Sequence, residues 1–525
     1  MLRQIVAVGP PPTTMSRFHL RLARAAALLP LLALAGCAVG PDYRPPEPAM
    51  PAGWEALSSG VTQQPADLSR WWALLGDPVL DQLVSQAVSG NLTLREAVAR
   101  VDESRARYRV ARAAMFPQLD ATGSATGNLS SQNGPVFSGD TTDAPSSGAT
   151  PKAYANYTIG VAASWELDIF GRVRRSVESA TALEEASEDD RRAVLVVLCA
   201  DVAQSYVTLR TIQQRLAVAR QNLASQEEIF RLTRTRFELG LSSGLDVAQA
   251  TQVLASTRTL VPPLELALTV EMNRLSVLLG QQPGALRDHL ADSAPIPHPP
   301  DSFGVGLPVN LLRQRPDIRT AERQLAAATA RIGVAVGDLY PRFSLLGTFA
   351  FDSTDVANWI DGPSRTFTVG PAMIWNVFDA GRLRAQVNAE EALTAQALAR
   401  YEQQLLLALQ DVENALAAYG QTREERGAVA DAVTASNQAL DLSILLYKDG
   451  AVDFQNVLDA QRTLLDFEER LAITDGNVVR SVIQLYLALG GGWVPDAPAE
   501  AAPQQIADTA AVVDDAPAGA EAPAP

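Results

Sequence analysis

From residue 157 to 169 the chain alternates. Tyr157, Ile159, Val161, Ala163, Trp165, Leu167 and Ile169 are separated by Thr158, Gly160, Ala162, Ser164, Glu166 and Asp168. A period of two predicts a strand with one apolar face. Phe367, Val369, Met373, Trp375 and Val377 repeat the pattern less cleanly, and shorter alternating stretches follow Pro117 and Pro341, among them Phe343, Leu345, Gly347, Phe349 and Phe351. The chain thus offers four strands in two hairpins. After Gly171 the period becomes 3.5: Leu195, Val202, Leu209, Leu216, Leu223, Phe230 and Phe237 fall seven apart, with Leu198, Ile212 and Ala219 three residues further on. This is a coiled-coil seam on a helix about 100 Å long. Gly240 to Gly244 breaks it, and a second helix returns toward Gly280, with Pro262-Pro263 predicted to kink or split it.

The pattern occurs twice. Asn91–Gly123 aligns with Arg315–Gly347 at a shift of 224 residues, pairing Phe116 with Tyr340 and Pro117 with Pro341. Beyond a Ser, Gly, Asn and Asp-rich loop in the first copy the shift becomes 210, pairing Trp165 with Trp375, Gly171 with Gly381, Gly240 with Gly450 and Gly280 with Gly490. The second seam reads Leu405, Val412, Tyr419, Arg426, Val433, Leu440 and Tyr447, apolar or aromatic except at Arg426. The predicted organisation is a first repeat over 88–280, a Pro-rich linker over 281–309 holding the exposed histidines His289 and His298, a second repeat over 310–490, and a disordered Ala, Pro and acid-rich tail over 491–525.

Strands of about ten residues cross a bilayer when tilted, but a lipid-exposed sheet must close, and the smallest such barrels have about eight strands. Four strands do not close alone. An oligomer sharing one barrel is predicted, with a soluble four-stranded sheet as the alternative.

The N-terminus changes the picture of where the chain resides. Arg17, Arg21 and Arg24 precede an apolar run, Ala25 to Ala35, which is too short to span a bilayer and has the order of a secretory signal. It ends in Leu34-Ala35-Gly36-Cys37, which looks like a bacterial lipobox, so residues 1–36 are read as a lipoprotein signal and Cys37 as the acylated first residue of a lipid-anchored segment, 37–87. Met15 is an alternative start, which would make residues 1–14 a mis-assigned extension. A short buried helix with a core cysteine is the competing reading. Cys199 is then the remaining thiol, so no intrachain disulfide forms. No later segment is expected to be apolar enough for a membrane helix.

Composition removes other classes. A net charge of −16 argues against nucleic acid. Three histidines, no phosphate-binding loop and no metal-spaced His/Cys cluster leave no enzyme chemistry and no cofactor beyond the lipid on Cys37.

A lipidated, exported and duplicated chain with two strand hairpins and long helical hairpins resembles the TolC family of outer-membrane efflux proteins, specifically the lipoprotein branch serving resistance-nodulation-division pumps. The residues that carry this are Cys37-Ala38-Val39-Gly40-Pro41-Asp42-Tyr43, Trp71-Trp72 with Gly76-Asp77, and Leu311-Leu312-Arg313-Gln314-Arg315-Pro316-Asp317-Ile318 leading into Ala321-Glu322. The resemblance runs from Cys37 to about Gly490. It implies an α+β membrane fold: a homotrimer whose twelve strands, four per protomer, form an outer-membrane barrel continued by a periplasmic helical barrel. It also implies a periplasmic adaptor (membrane fusion) protein and an inner-membrane pump of the resistance-nodulation-division type as partners, in the outer membrane of a Gram-negative bacterium.

By the same resemblance the tips Leu239-Gly240-Leu241 and Asp449-Gly450-Ala451 close the channel and meet the adaptor. Asn456 and Asp459 match the family's acidic constriction rings, with Asp246 at the corresponding place in the first repeat. Tyr447 matches a tyrosine that ties hairpins together near the equivalent of Asp246, while Val452 replaces that lock's arginine. Two plainer readings stand beside these: Tyr447 as the last packing residue of its seam, and Asp246 as a helix-start carboxylate. The implied function is a passive exit duct; a lipid-anchored periplasmic coiled-coil scaffold without a pore is the alternative.

Overall fold

The structure is a computed structural model that describes residues 38–65, 67–129 and 153–494. The signal segment 1–36, Cys37, most of the Ser/Gly-rich loop and the tail from residue 495 lie outside the described residues, and the tail's expected start at 491 is corrected: Gly491, Gly492 and Trp493 are buried, the Gly492 amide donating to the Leu68 carbonyl (2.7 Å) and the Trp493 indole to that of Gln314 (3.0 Å). In chain order the elements are β1 (Val61–Thr62), α1 (Pro78–Gly90), α2 (Leu92–Ala113), β2 (Gln118–Leu129), β3 (Ala153–Glu166), α3 (Arg172–Glu238), α4 (Gly244–Arg258) and α5 (Val261–Leu278). The second half adds β4 (Phe303–Gly304), α6 (Leu311–Gln314), α7 (Pro316–Gly337), β5 (Arg342–Ser353), β6 (Arg365–Ile374), α8 (Arg382–Lys448) and α9 (Phe454–Ala488).

The four long strands form one antiparallel sheet in the order β2-β3-β5-β6. Its register aligns the alternation across strands: Val161 lies opposite Ala121 and Phe349, Phe349 opposite Phe367, and Gly347 between Ala163 and Val369. One face is therefore apolar on all four strands, and the other carries Thr122, Ser124, Thr158, Ser164, Ser344, Thr348, Thr366 and Thr368. Neither face is covered. Val161, Phe349, Phe367 and Val369 are 42–71% exposed, and β2 is exposed along its whole length. At the helical end of the sheet the two repeats use the same device: the Trp165 indole N–H donates to the Met115 carbonyl (3.0 Å) and that of Trp375 to Leu339 (3.1 Å). Such tryptophans suit a membrane–water boundary, with the ring in hydrocarbon and the N–H at the polar edge.

Each strand pair turns into a helix of 67 residues, about 100 Å long. The start of α3 is fixed by Gly171 at φ 80° and by Asp168, whose carboxylate accepts from the Val173 and Arg174 amides (2.8 Å each). Asp379 does the same for α8 through Leu383 (2.9 Å). In the first repeat the return is split into α4 and α5, with Pro262 in the first turn of α5, where a missing N–H costs nothing. In the second it is the continuous α9.

The seam differs in one respect from its apolar spelling. The row Leu198, Ser205, Ile212, Ala219, Gln226 and Thr233 is buried from top to bottom, whereas the other row is buried from Val202 to Leu216, half-buried at Leu223 and at Phe230, which packs on the tip cluster, and ends with Phe237 47% exposed. Arg426, the polar exception in the second seam, is exposed and pairs with Asp475 on α9 (2.8 Å).

One further expectation is corrected. One window of α3 does reach the length and hydropathy of a membrane helix (mean hydropathy 1.4). Its apolar stretch is core, however: Val202, Ala203, Tyr206, Val207 and Leu209 are fully buried between α1, α5 and α9. The Pro-rich linker between the repeats packs into the core. Leu286, Leu290, Ile296, Phe303 and Val305 are buried, and β4 pairs in parallel with β1. His289 and His298 are exposed, as expected.

The Trp71-Trp72 and Arg315-Pro316-Asp317 motifs prove to be structural. Trp71 stacks on Tyr486 (5.6 Å, 5°). Arg315 is buried and bonds Asp317 (2.6 Å), Asp411 (3.1 Å) and the Ala488 carbonyl (2.9 Å), tying the start of α7 to α8 and α9. Cys199 is fully buried, and desolvation pushes its thiol up to about 12.

Candidate functional site at the hairpin tips

The two long hairpins reverse by the same backbone device. Gly240 has φ 73°, with its amide bonded to the Phe237 carbonyl and that of Leu241 to Arg236; Gly450 has φ 76°, with its amide bonded to Tyr447 and that of Ala451 to Leu446. This doubly bonded ending demands a left-handed residue, which glycine supplies without strain. A side-chain carbon at either position would meet nothing within 4 Å, so conformation, not space, selects glycine. The first tip displays Phe237, Leu239, Leu241 and Leu245, 47–68% exposed.

The return helices begin side by side. Ser243 caps α4, and Asp246 completes a capping box: the Ser243 hydroxyl takes the Asp246 amide (3.3 Å) and the Asp246 carboxylate takes the Ser243 amide (3.2 Å). The helix-start reading of Asp246 is therefore met by geometry. Asn456 occupies the equivalent third position of α9, its side-chain amide 3.4 Å from the Asp453 carbonyl. Asp459 lies one turn further, exposed, accepting from Gln455 (2.9 Å), and Gln455 in turn accepts from Gln249 of α4 (3.5 Å). Asp246, Gln249, Gln455, Asn456 and Asp459 thus form one polar row across the first turns of α4 and α9.

Tyr447 joins the two hairpins. It is 5% exposed, in a cluster with Ile229, Ala250, Val253, Phe454, Val457 and Leu458, to which Val452 adds a partly buried side chain. Its hydroxyl is buried near Thr233 and Ser242 yet meets no partner at hydrogen-bond geometry. Burial first, and then the charge of Asp246, hold this phenol above its ordinary value, so it stays protonated. The packing role and the proximity to Asp246 both hold. Arg236 of the first hairpin bridges to the second: its guanidinium lies over the Tyr447 ring (4.9 Å) and donates to the Lys448 carbonyl (2.9 Å). Sequence reasoning passed over Arg236, which stands one turn before the break with nothing in its spacing to mark it. Among the described residues no group of three or more His, Cys, Asp or Glu is placed to hold a metal.

The sequence profile described as "Outer membrane efflux protein" matches residues 83–281 and 307–491. Nodulation protein T of Rhizobium leguminosarum bv. trifolii is 32% identical over 89% of this chain and 97% of that protein. Outer membrane protein OprJ of Pseudomonas aeruginosa is 33% identical, over 89% of this chain and 95% of its own length. Among solved structures, the outer-membrane channel OprN is 36% identical and superposes with a TM-score of 0.79 over 87% of this chain and all of that one.

Proposed function

Because this chain belongs to the outer membrane efflux protein family and is an outer-membrane channel of an efflux system reaching into the periplasm, we propose that three copies close one twelve-stranded barrel and one helical tunnel. Substrates delivered by an inner-membrane pump of the resistance-nodulation-division type leave through it without covalent change. The observation that carries the shared barrel is the sheet itself; the count of three is the one the family resemblance implies. Strands β2 and β6 pair on one side only within the protomer, and an unpaired edge is not tolerated in lipid. The edge of β6 meets β2 of the next copy, and twelve strands clear the minimum of about eight. The mass of the detergent-extracted particle tests this: three protein chains are expected, and a stable monomer would remove the shared barrel. The uncovered apolar face weighs against a scaffold without a pore.

A lipid on Cys37, read from the Leu34-Ala35-Gly36-Cys37 sequence, is consistent with where the next two residues lie. Val39 donates to the Phe170 carbonyl (3.0 Å), and a side-chain carbon on Gly171 would fall 2.6 Å from Ala38 Cα. Ala38 and Val39 are thereby held at the junction of β3 and α3, on the sheet's helical side, from which an acyl chain on the preceding residue would enter the inner leaflet.

At the opposite end the exposed tips Leu239-Gly240-Leu241 and Asp449-Gly450-Ala451 receive the adaptor, and Asp246, Asn456 and Asp459 face the narrowed pore with Tyr447 as their support. Apolar anchors dominate such contacts. Leu239→Asp with Leu241→Asp should weaken adaptor co-purification roughly tenfold or more while leaving the trimer intact. Undiminished adaptor binding would move the contact elsewhere.

A further inference from the structure

We propose that the loop between β5 and β6, residues 354–364, lies on the lipid side of the barrel and seats Val356, Trp359 and Ile360 among the acyl chains of the outer leaflet instead of covering the pore mouth. The inference rests on the outer-membrane channel reading. Strand β5 ends at Ser353, opposite Tyr157 on β3. Tyr157 belongs to the apolar face by alternation with Ile159, Val161 and Trp165. The Trp359 ring lies against that tyrosine, 5.8 Å between centroids at 50°, so the loop turns toward the lipid-facing side. The polar side is closed off separately, by Thr158 donating to Asp352 (3.1 Å).

The loop is built to hold this posture. The Asp355 carboxylate accepts the Ala357 amide (2.9 Å), the Ser364 hydroxyl donates to the Asn358 carbonyl (2.7 Å), and the Arg365 guanidinium donates to the Gly362 carbonyl (2.9 Å). On that frame Val356 and Ile360 stand 61% and 72% exposed. The Trp359 indole N–H is buried without a partner.

Length says what covers them. On β5, the strand that leads into the loop, the apolar face runs from Phe343 to Phe351, eight residue steps or about 20 Å along the membrane normal at the usual strand rise and tilt, against an apolar band of about 25 Å. The loop supplies the missing few ångströms, and its tryptophan and the tyrosine beneath it mark the outer boundary as Trp165 and Trp375 mark the inner. A second copy of the chain is not the occupant, because Trp359 turns away from the β6 edge and lies over Tyr157 of β3, an interior strand of the sheet, while neighbouring copies pair at its edges.

The test is spin-label accessibility in vesicles of phosphatidylethanolamine and phosphatidylglycerol, using full-length trimer with Cys199→Ser as background. Labels are placed by Ile360→Cys and Val356→Cys, with Val369→Cys on the apolar face and Thr368→Cys on the polar face as references. The expected ratio of oxygen to nickel-complex accessibility at 360 and 356 matches that at 369 and exceeds that at 368 severalfold. A ratio like that at 368, or a label shielded from both reagents, would overturn the inference. Loss of the difference between 369 and 368 would instead count against the barrel reading, and with it the inference.

Discussion

Arginine in place of Val161 is expected to destabilise the membrane-inserted protein by about 2–4 kcal/mol, whereas arginine in place of the adjacent Ala162 changes it by less than about 0.5 kcal/mol. The two positions are one residue apart, so their side chains leave the strand on opposite faces. Val161 stands midway between Tyr157 and Trp165, and its neighbours across the register are Ala121 and Phe349. A guanidinium there sits near the bilayer midplane with no water and no acceptor. Ala162 lies opposite Asp120 and Thr348, on the face assigned to the aqueous lumen, where a long cation remains hydrated. Equilibrium unfolding by denaturant from vesicles measures both. Equal costs at the two sites would mean that the sheet does not separate lipid from water, and the assignment of faces would fall.

The second large effect concerns the tips. Asp246→Ala together with Asp459→Ala should raise single-channel conductance and reduce cation preference, most clearly at low salt where a ring of carboxylates is least screened. The double variant removes two different things. Asp459 contributes an exposed charge in the polar row, while Asp246 also closes the capping box of α4, whose loss costs about 1 kcal/mol of local helix stability. Asp246→Asn separates them, keeping shape while removing charge. If charge governs the pore, Asp246→Asn with Asp459→Asn reproduces the change in ion preference. If the tips are held mainly by packing, conductance rises in Arg236→Ala, which strips the bond to the Lys448 carbonyl and the stack on Tyr447, and the carboxylate variants change little. Unchanged conductance and selectivity in the carboxylate variants would remove Asp246 and Asp459 from the gate.

Elements that repeat a period over many residues were legible: the strands, the long helices, the break at Gly240 and the split return helix at Pro262. What escaped lacked period or apolar spelling. Ser205, Gln226 and Thr233 are buried in the seam, but each is polar, so an apolar count found only Leu198, Ile212 and Ala219 of their row. The pairing of Val61 with Phe303 joins strands of two residues, too short to alternate. At the tips, the turn glycines and the helix-start carboxylate were readable from chemistry alone, because a left-handed turn and an N-terminal cap each select few residues. The Arg236 bridge was not, since it depends on two helices that are 212 residues apart in sequence meeting at one point. Arg315 and Trp71 carried the family resemblance, and only their partners reveal that they fasten helices.

On the proposed function, this chain encloses a water-filled duct when copies of it share a barrel. Single-channel recording of the detergent-extracted protein in a planar bilayer, with particle mass determined on the same preparation, tests it most directly. Three copies with discrete, cation-preferring openings are the predicted result. A folded monomer, or a trimer that passes no current even when the tips are loosened by Arg236→Ala with Asp459→Ala, would contradict it.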